Sequence, residues 1–190
     1  YSVLANNEAL KTENRDLNLV QAYLNNSIAA ANQASGLAKN DIAVVEALAQ
    51  IYENSGLYAL ESLNLAEDSY RKALELEPNN PGFLLKIGQI KLKQAASKKE
   101  EERKGVIEEA RDLFQSAVDK KDNFSFGYYQ LALAKESLSD LDGAVDSMSR
   151  AYILDKNNIN NIFHLGRLYQ ARGMNDDYTI AEALFKRASE

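Results

Sequence analysis

Cysteine is absent from this chain, proline occurs twice and histidine once. Without cysteine there is no disulfide framework, no thiolate zinc site and no cysteine nucleophile. Two prolines and nine glycines are too few for the many tight turns of a β-sandwich. One histidine cannot assemble an imidazole metal site, and His164 between Phe163 and Leu165 reads as a structural or surface residue. No apolar run approaches the ~20 residues of a membrane span. Basic excess is missing too. The formal charge is −6 with a pI near 5.0, which argues against nucleic acid as the main partner, because phosphate binding needs clustered Lys and Arg. The one Lys-rich run, SKKEEERK at 97–104, holds nearly as much acid as base and reads as a solvated helix face.

What is present is a 190-residue chain, 45% hydrophobic and 26% charged. That is the composition of a folded globular protein with room for a real core. Its dominant signal is a recurring triplet on one helical face: a small residue, a large one four positions on, and a second small one three further. It occurs as Ala66/Tyr70/Ala73, Ala110/Phe114/Ala117, Ala144/Met148/Ala151 and Ala181/Phe185/Ala188. Upstream of each stands an aliphatic residue followed by Ala or Gly: Leu48-Ala49, Ile87-Gly88, Leu131-Ala132 and Leu165-Gly166. Small residues on both partners let two helix axes approach closely, and the large side chain between the alanines fills the remaining space.

These residues resemble the tetratricopeptide repeat, a helix-turn-helix unit of ~34 residues. Leu131 and Leu165 are separated by the family's period, and the other intervals are longer. The family's tryptophan is replaced by Val45, Leu84, Tyr128 and Ile162, and its closing proline survives only as Pro78. Its tyrosine position holds Tyr52, Lys91, Lys135 and Tyr169; the two lysines are expected to lay their stems over the pair with their amines in water. The resemblance implies an all-α fold, a right-handed α-solenoid of antiparallel helix pairs, with about four repeat units after a diverged N-terminal pair. The expected organisation is a single domain, 1–190. It comprises the diverged pair (1–41), repeat 1 (42–80), repeat 2 with a long insertion (81–123), repeat 3 (124–158) and a truncated repeat 4 (159–190).

Punctuation along the chain agrees. Pro78 ends a helix at Glu77, and Asn80 and Pro81 suit the start of the next. Asn123 and Asn157-Asn158 occupy corresponding junctions, and Gly56 and Gly173 fall where a left-handed closing residue is wanted. The segment 91–110 is expected to lengthen both helices of its pair, and 53–64 to lengthen a turn. Near the N-terminus, helices are expected over 3–12 and 17–38, the second carrying Leu17, Val20, Leu24, Ile28, Ala31 and Ala34 on one side.

Catalytic chemistry has no foothold. Asp140, Asp142 and Gly143 lack the remaining ligands of a calcium loop and read as a helix start, as do Asp176 and Asp177. Asn25-Asn26-Ser27 and Asn123-Phe124-Ser125 fit a glycosylation pattern that is common by chance. No phosphate loop or Gly-x-Ser-x-Gly turn occurs, and the chain is read as no enzyme and as using no cofactor or metal.

What the resemblance implies instead is a non-catalytic scaffold that holds a protein or peptide partner in the concave groove lined by the first helices. By spacing, the groove residues are Gln50, Leu85, Gln89, Phe126, Tyr129, Phe163 and Arg167, with Glu46, Glu53 and Glu136 among them; aromatic and Arg side chains are favoured interface anchors. The Lys and Asn clamp by which some family members hold a C-terminal carboxylate is missing, since Glu46, Gln50, Leu85 and Gln89 stand at its places. An alternative follows from the Ala- and Asn-rich texture and the PNNP junction. These are similar to soluble tails of larger bacterial membrane proteins such as O-antigen ligase or polymerase-like glycan enzymes, which would put the domain on the cytoplasmic or periplasmic side. A start without Met reads as a fragment, and self-association through terminal repeats is a further expectation.

Overall fold

The computed structural model describes residues 1–11, 16–56 and 60–189. Among these residues there are ten helices and no strand. In chain order they are α1 (Ser2–Ala9), α2 (Leu17–Leu37), α3 (Ile42–Ser55), α4 (Glu61–Leu76), α5 (Pro81–Ala95), α6 (Glu100–Lys120), α7 (Ser125–Ser137), α8 (Leu141–Leu154), α9 (Ile159–Arg172) and α10 (Asp177–Ser189). They form two compact units, Tyr1–Pro78 and Asn79–Glu190. The first holds the pairs α1/α2 and α3/α4. The second holds α5/α6, α7/α8 and α9/α10, and each later pair lays its first helix on the pair before it.

Three of the four small-large-small triplets are fully buried, while in the fourth Ala181 is buried and Phe185 and Ala188 only partly so. In the first unit Ala66, Tyr70 and Ala73 are fully buried, and the Tyr70 hydroxyl donates to Glu53 at 3.0 Å. In the second unit Ala110, Phe114 and Ala117 are fully buried, as are Ala144, Met148 and Ala151. The paired notches are filled from across the helix pair. A methyl group built on Gly88 would meet Phe114 Cε1 at 2.5 Å, and one on Gly166 would meet Phe185 Cε1 at 2.8 Å. The glycines are therefore contact surfaces for a ring, and a β-carbon would hold the axes apart.

Helix ends follow the local chemistry. Asp41 accepts from the amides of Ala43 and Val44, Asn80 from Gly82, Asp140 from Gly143, and Asn158 from Asn160 and Asn161. Glu77 leaves helical geometry just before Pro78. Gly173 closes α9 in the left-handed region (φ 66°). Gly56 does not: its φ is −60°, and it is small because the Leu63 side chain lies where its β-carbon would be. Asn123 is not a cap either, since α7 starts from Phe124 without a side-chain cap.

Other expectations are adjusted. Only α6 is lengthened by the insertion, to 21 residues, whereas α5 stops at Ala95 with an ordinary 15. The first helix ends at Ala9, and the part of its expected span at residue 12 lies outside the described residues, as do 57–59 of the lengthened turn. On α2 the buried side is Val20, Leu24 and Ser27, while Leu17 and Ala34 are exposed. The lysines in the tyrosine position do not leave their amines to water: Lys91 Nζ pairs with Glu109 at 2.9 Å and Lys135 Nζ donates to Ser147 Oγ at 3.1 Å. Each amine sits within reach of the second helix of its own pair, so the stem covers the interface and the head ties it.

Candidate interaction site

The second unit presents a cluster of rings on α7 and α9. On α7 the buried side is Gly127, Leu131, Ala132 and Ala134, which leaves Phe126, Tyr129 and Glu136 on the remaining flank. On α9 the buried side is Asn161, Ile162, Leu165, Gly166 and Leu168, which leaves Phe163 and Arg167 outward and His164 half-buried. Phe126 and Tyr129 stack with centroids 6.2 Å apart, and the Tyr129 ring meets His164 edge-on at 5.3 Å. Phe163 also meets His164 edge-on, at 5.9 Å, and touches Phe185 of α10 at 5.7 Å. His164 thus contacts two rings contributed by different helices. Phe126 and Phe163 are each 49% exposed, an unusual state for side chains that normally dominate burial.

Two polar ties fix this geometry. Arg167 Nη2 donates to Glu136 Oε2 at 2.7 Å and joins α9 to α7 beside the rings. At the other end of the helices, buried Asn161 donates from Nδ2 to Ser125 Oγ (3.2 Å) and to the Ala151 carbonyl (3.1 Å), while Ser125 Oγ donates to the same carbonyl (2.9 Å). This bolt sets the register that puts Phe163 and His164 opposite Tyr129. Its sequence signal was an Asn one place before the buried Ile162, inside a helix whose other buried positions are apolar or Gly.

The electrostatics match the packing. Burial pushes the Tyr129 phenol above its usual range; the Arg167 charge pulls it back, and the Glu136 carboxylate pushes it further up. Burial lowers His164, Arg167 lowers it further, and Glu136 opposes them. His164 is accordingly a neutral ring, and its Nδ1 is buried without a hydrogen-bond partner. The arrangement therefore offers an apolar ring surface next to a half-exposed guanidinium.

Of the residues expected in the groove, the structure brings together Phe126, Tyr129, Phe163 and Arg167, with Glu136 paired to the last. It does not bring Leu85, which is buried in the core cluster that includes Phe114, Val118 and Leu131. Its helix α5 is covered from two sides, by α6 and α7, and this neighbour is invisible in the spacing of α5 alone. Gln89 is half-buried on α5. Gln50 belongs to the first unit, where it is exposed and donates to Glu46 at 3.2 Å. His164, which spacing left out, is central to the cluster.

No family model matches the sequence, and no curated protein sequence does. Solved structures do resemble the fold. The MamA fragment 41-end from Desulfovibrio magneticus RS-1 matches with a TM-score of 0.70 at 20% identity, over 99% of this chain and 93% of that one. TTC0263, a thermophilic TPR protein of Thermus thermophilus, matches with a TM-score of 0.66 at 20% identity, over 89% and 85%. The first TPR of Spaghetti (RPAP3), bound to the HSP90 peptide SRMEEVD, matches with a TM-score of 0.57 at 20% identity, over 70% and 95%.

Proposed function

We propose that this chain, whose fold is that of the tetratricopeptide-repeat proteins, is a non-catalytic interaction module that grips a peptide or protein segment on the ring cluster of its second unit. The observation that carries this reading is the pair of half-exposed phenylalanines flanking Tyr129 and His164, with Arg167 at their side. Phe114 and Phe185 of this unit fill notches at Gly88 and Gly166; here two phenylalanine rings stay at the surface, although exposure of apolar area costs ~25 cal/mol per Å². A partner side chain laid over them would recover that area, and rigid aromatic and Arg anchors lose little side-chain entropy on contact. The neighbour RPAP3 holds a peptide on the same fold, which supports a peptide as the type of ligand.

The ring faces would take an apolar anchor, while Arg167 and Glu136 would orient polar groups beside it. The test is selection of binding peptides on the full chain from a displayed random library, followed by anisotropy with Tyr129→Ala/Arg167→Ala. The affinity of a selected peptide is expected to fall about tenfold or more, since two central anchors are removed. Helical content should be unchanged. Equal affinity in the double variant removes the ring cluster as the site.

A further inference from the structure

The first unit has surface chemistry of a different kind. Residues 1–78 carry 11 acidic and 5 basic side chains, whereas 79–190 carry 17 of each, so the whole formal charge of −6 belongs to the first unit. Within this acidic unit lies an apolar cleft of about 410 Å³ between α2 and α3, bordered also by Tyr1 and Ser2. One wall is Ser27, Ala31 and Ala34 of α2; the other is Ala43, Ala47 and Ile51 of α3. Ser27 spends its hydroxyl on the Tyr23 carbonyl at 2.9 Å and offers no polar group to the cleft. Asp41 stands at the edge. The other wall is peculiar as well: α2 runs for 21 residues without one charged side chain, although most of it is exposed. Helix α6, equally long, is rich in both signs.

We propose that this cleft is a second docking site, separate from the ring cluster, and that its occupant is a basic amphipathic helix of a partner protein. The alanines leave room for large apolar side chains spaced one turn apart, and an uncharged wall accepts such a stripe without stranding a charge. Lys and Arg on the flanks of the incoming helix meet the acidic excess of this unit, which steers approach and rejects acidic segments. An acidic or neutral helix would fill the same space against like charge or without attraction, so charge selects the occupant.

The probe is a labelled Leu/Lys amphipathic helical peptide of about 15 residues, long enough to hold a helix, with its Leu/Glu counterpart as control. Binding to the full chain is measured by anisotropy at two salt concentrations and mapped by amide shifts. The expected result is salt-sensitive binding of the Leu/Lys peptide, with shifts at Ala31, Ala34, Ala43 and Ala47 and none for the control. Ala47→Arg and Ala34→Arg, at positions on opposite walls, should each weaken it about tenfold by filling the cleft and adding like charge. Phe163→Ala should leave it unchanged, which separates this result from the fate of the ring cluster. Equal affinity in both Arg variants, or shifts confined to acidic side chains away from the cleft, overturns the proposal as diffuse charge attraction. A concentration-dependent dimer that Ala47→Arg abolishes, with no peptide bound at the cleft, overturns it in favour of a second copy.

Discussion

Gly88 and Gly105 both lie inside helices, yet the same substitution should act on them with opposite sign. Replacing a helical glycine by alanine removes backbone freedom from the unfolded chain and gains about 0.5–1 kcal/mol where nothing opposes it. At Gly105 no atom lies within 4 Å of the added carbon, so Gly105→Ala should raise stability in urea by that amount. At Gly88 the new carbon would meet Phe114 Cε1 at 2.5 Å, and Phe114 is fully buried with no space to retreat. Overpacking of a close-packed site typically costs about 1–3 kcal/mol, which exceeds the helix gain. Gly88→Ala should therefore lower stability by about 1–2 kcal/mol, and the partner change Phe114→Leu should relieve part of the loss. Urea denaturation of the two singles and the double variant closes the cycle; additive effects would show that the glycine and the ring do not meet.

Between elements, a bidentate ion pair makes the joint of α9 and α10. Arg172 donates from Nε and Nη2 to the two oxygens of Asp177, both at 2.8 Å, and reaches Asp142 of α8 at 3.3 Å with its plane over Tyr169. Asp177 is buried and also accepts from the Met174 amide at 2.9 Å. The Arg172 guanidinium, with help from that amide, holds its carboxyl below the usual range against the cost of burial. A carboxyl lowered in the folded state contributes stability above its unfolded pKa of about 4 and loses it as pH falls through the folded value. Wild-type protein should thus lose stability below about pH 4 more steeply than Asp177→Asn, which should already be weaker at about pH 7. Parallel pH profiles for the two proteins would refute the coupling. This joint also shows what a sequence conceals. The alanine triplets, the caps at Asn80, Asp140 and Asn158 and the closing Gly173 were legible, because each is decided by spacing on its own helix. Asp177 read only as a helix start, Leu85 as a groove residue and Gly56 as a left-handed turn. In each case the deciding atom belongs to another segment: Arg172, the helices covering α5, or Leu63. The ring cluster was half legible for the same reason: Phe126, Tyr129, Phe163 and Arg167 follow from face assignment, but the contact of His164 with rings of two helices does not.

At the scale of the whole chain, the two units differ in charge. The second unit closes two core clusters from its own residues, one around Phe114, Val118 and Leu131 and one around Met148, Ile162 and Leu165. Its first helix starts with its own cap at Asn80, and Asn79 accepts from Lys120 within the same unit. Helix-repeat arrays gain stability mainly from nearest neighbours, so three consecutive pairs with satisfied ends should fold without what precedes them. The fragment 79–190 is therefore expected to unfold cooperatively with the helical signal per residue of the full chain. It should keep the affinity of ring-cluster peptides, because Phe126, Tyr129, Phe163, His164 and Arg167 all lie inside it. It should also behave as a nearly neutral protein on ion exchange, while 1–78, which carries the net charge of −6, is retained by an anion exchanger. Circular dichroism through a thermal ramp, with peptide anisotropy on the same sample, decides the matter. A fragment that is helical but has lost the peptide would show that the ring cluster is not the whole of that site. A fragment without a folding transition would show that the second unit depends on the first for its stability.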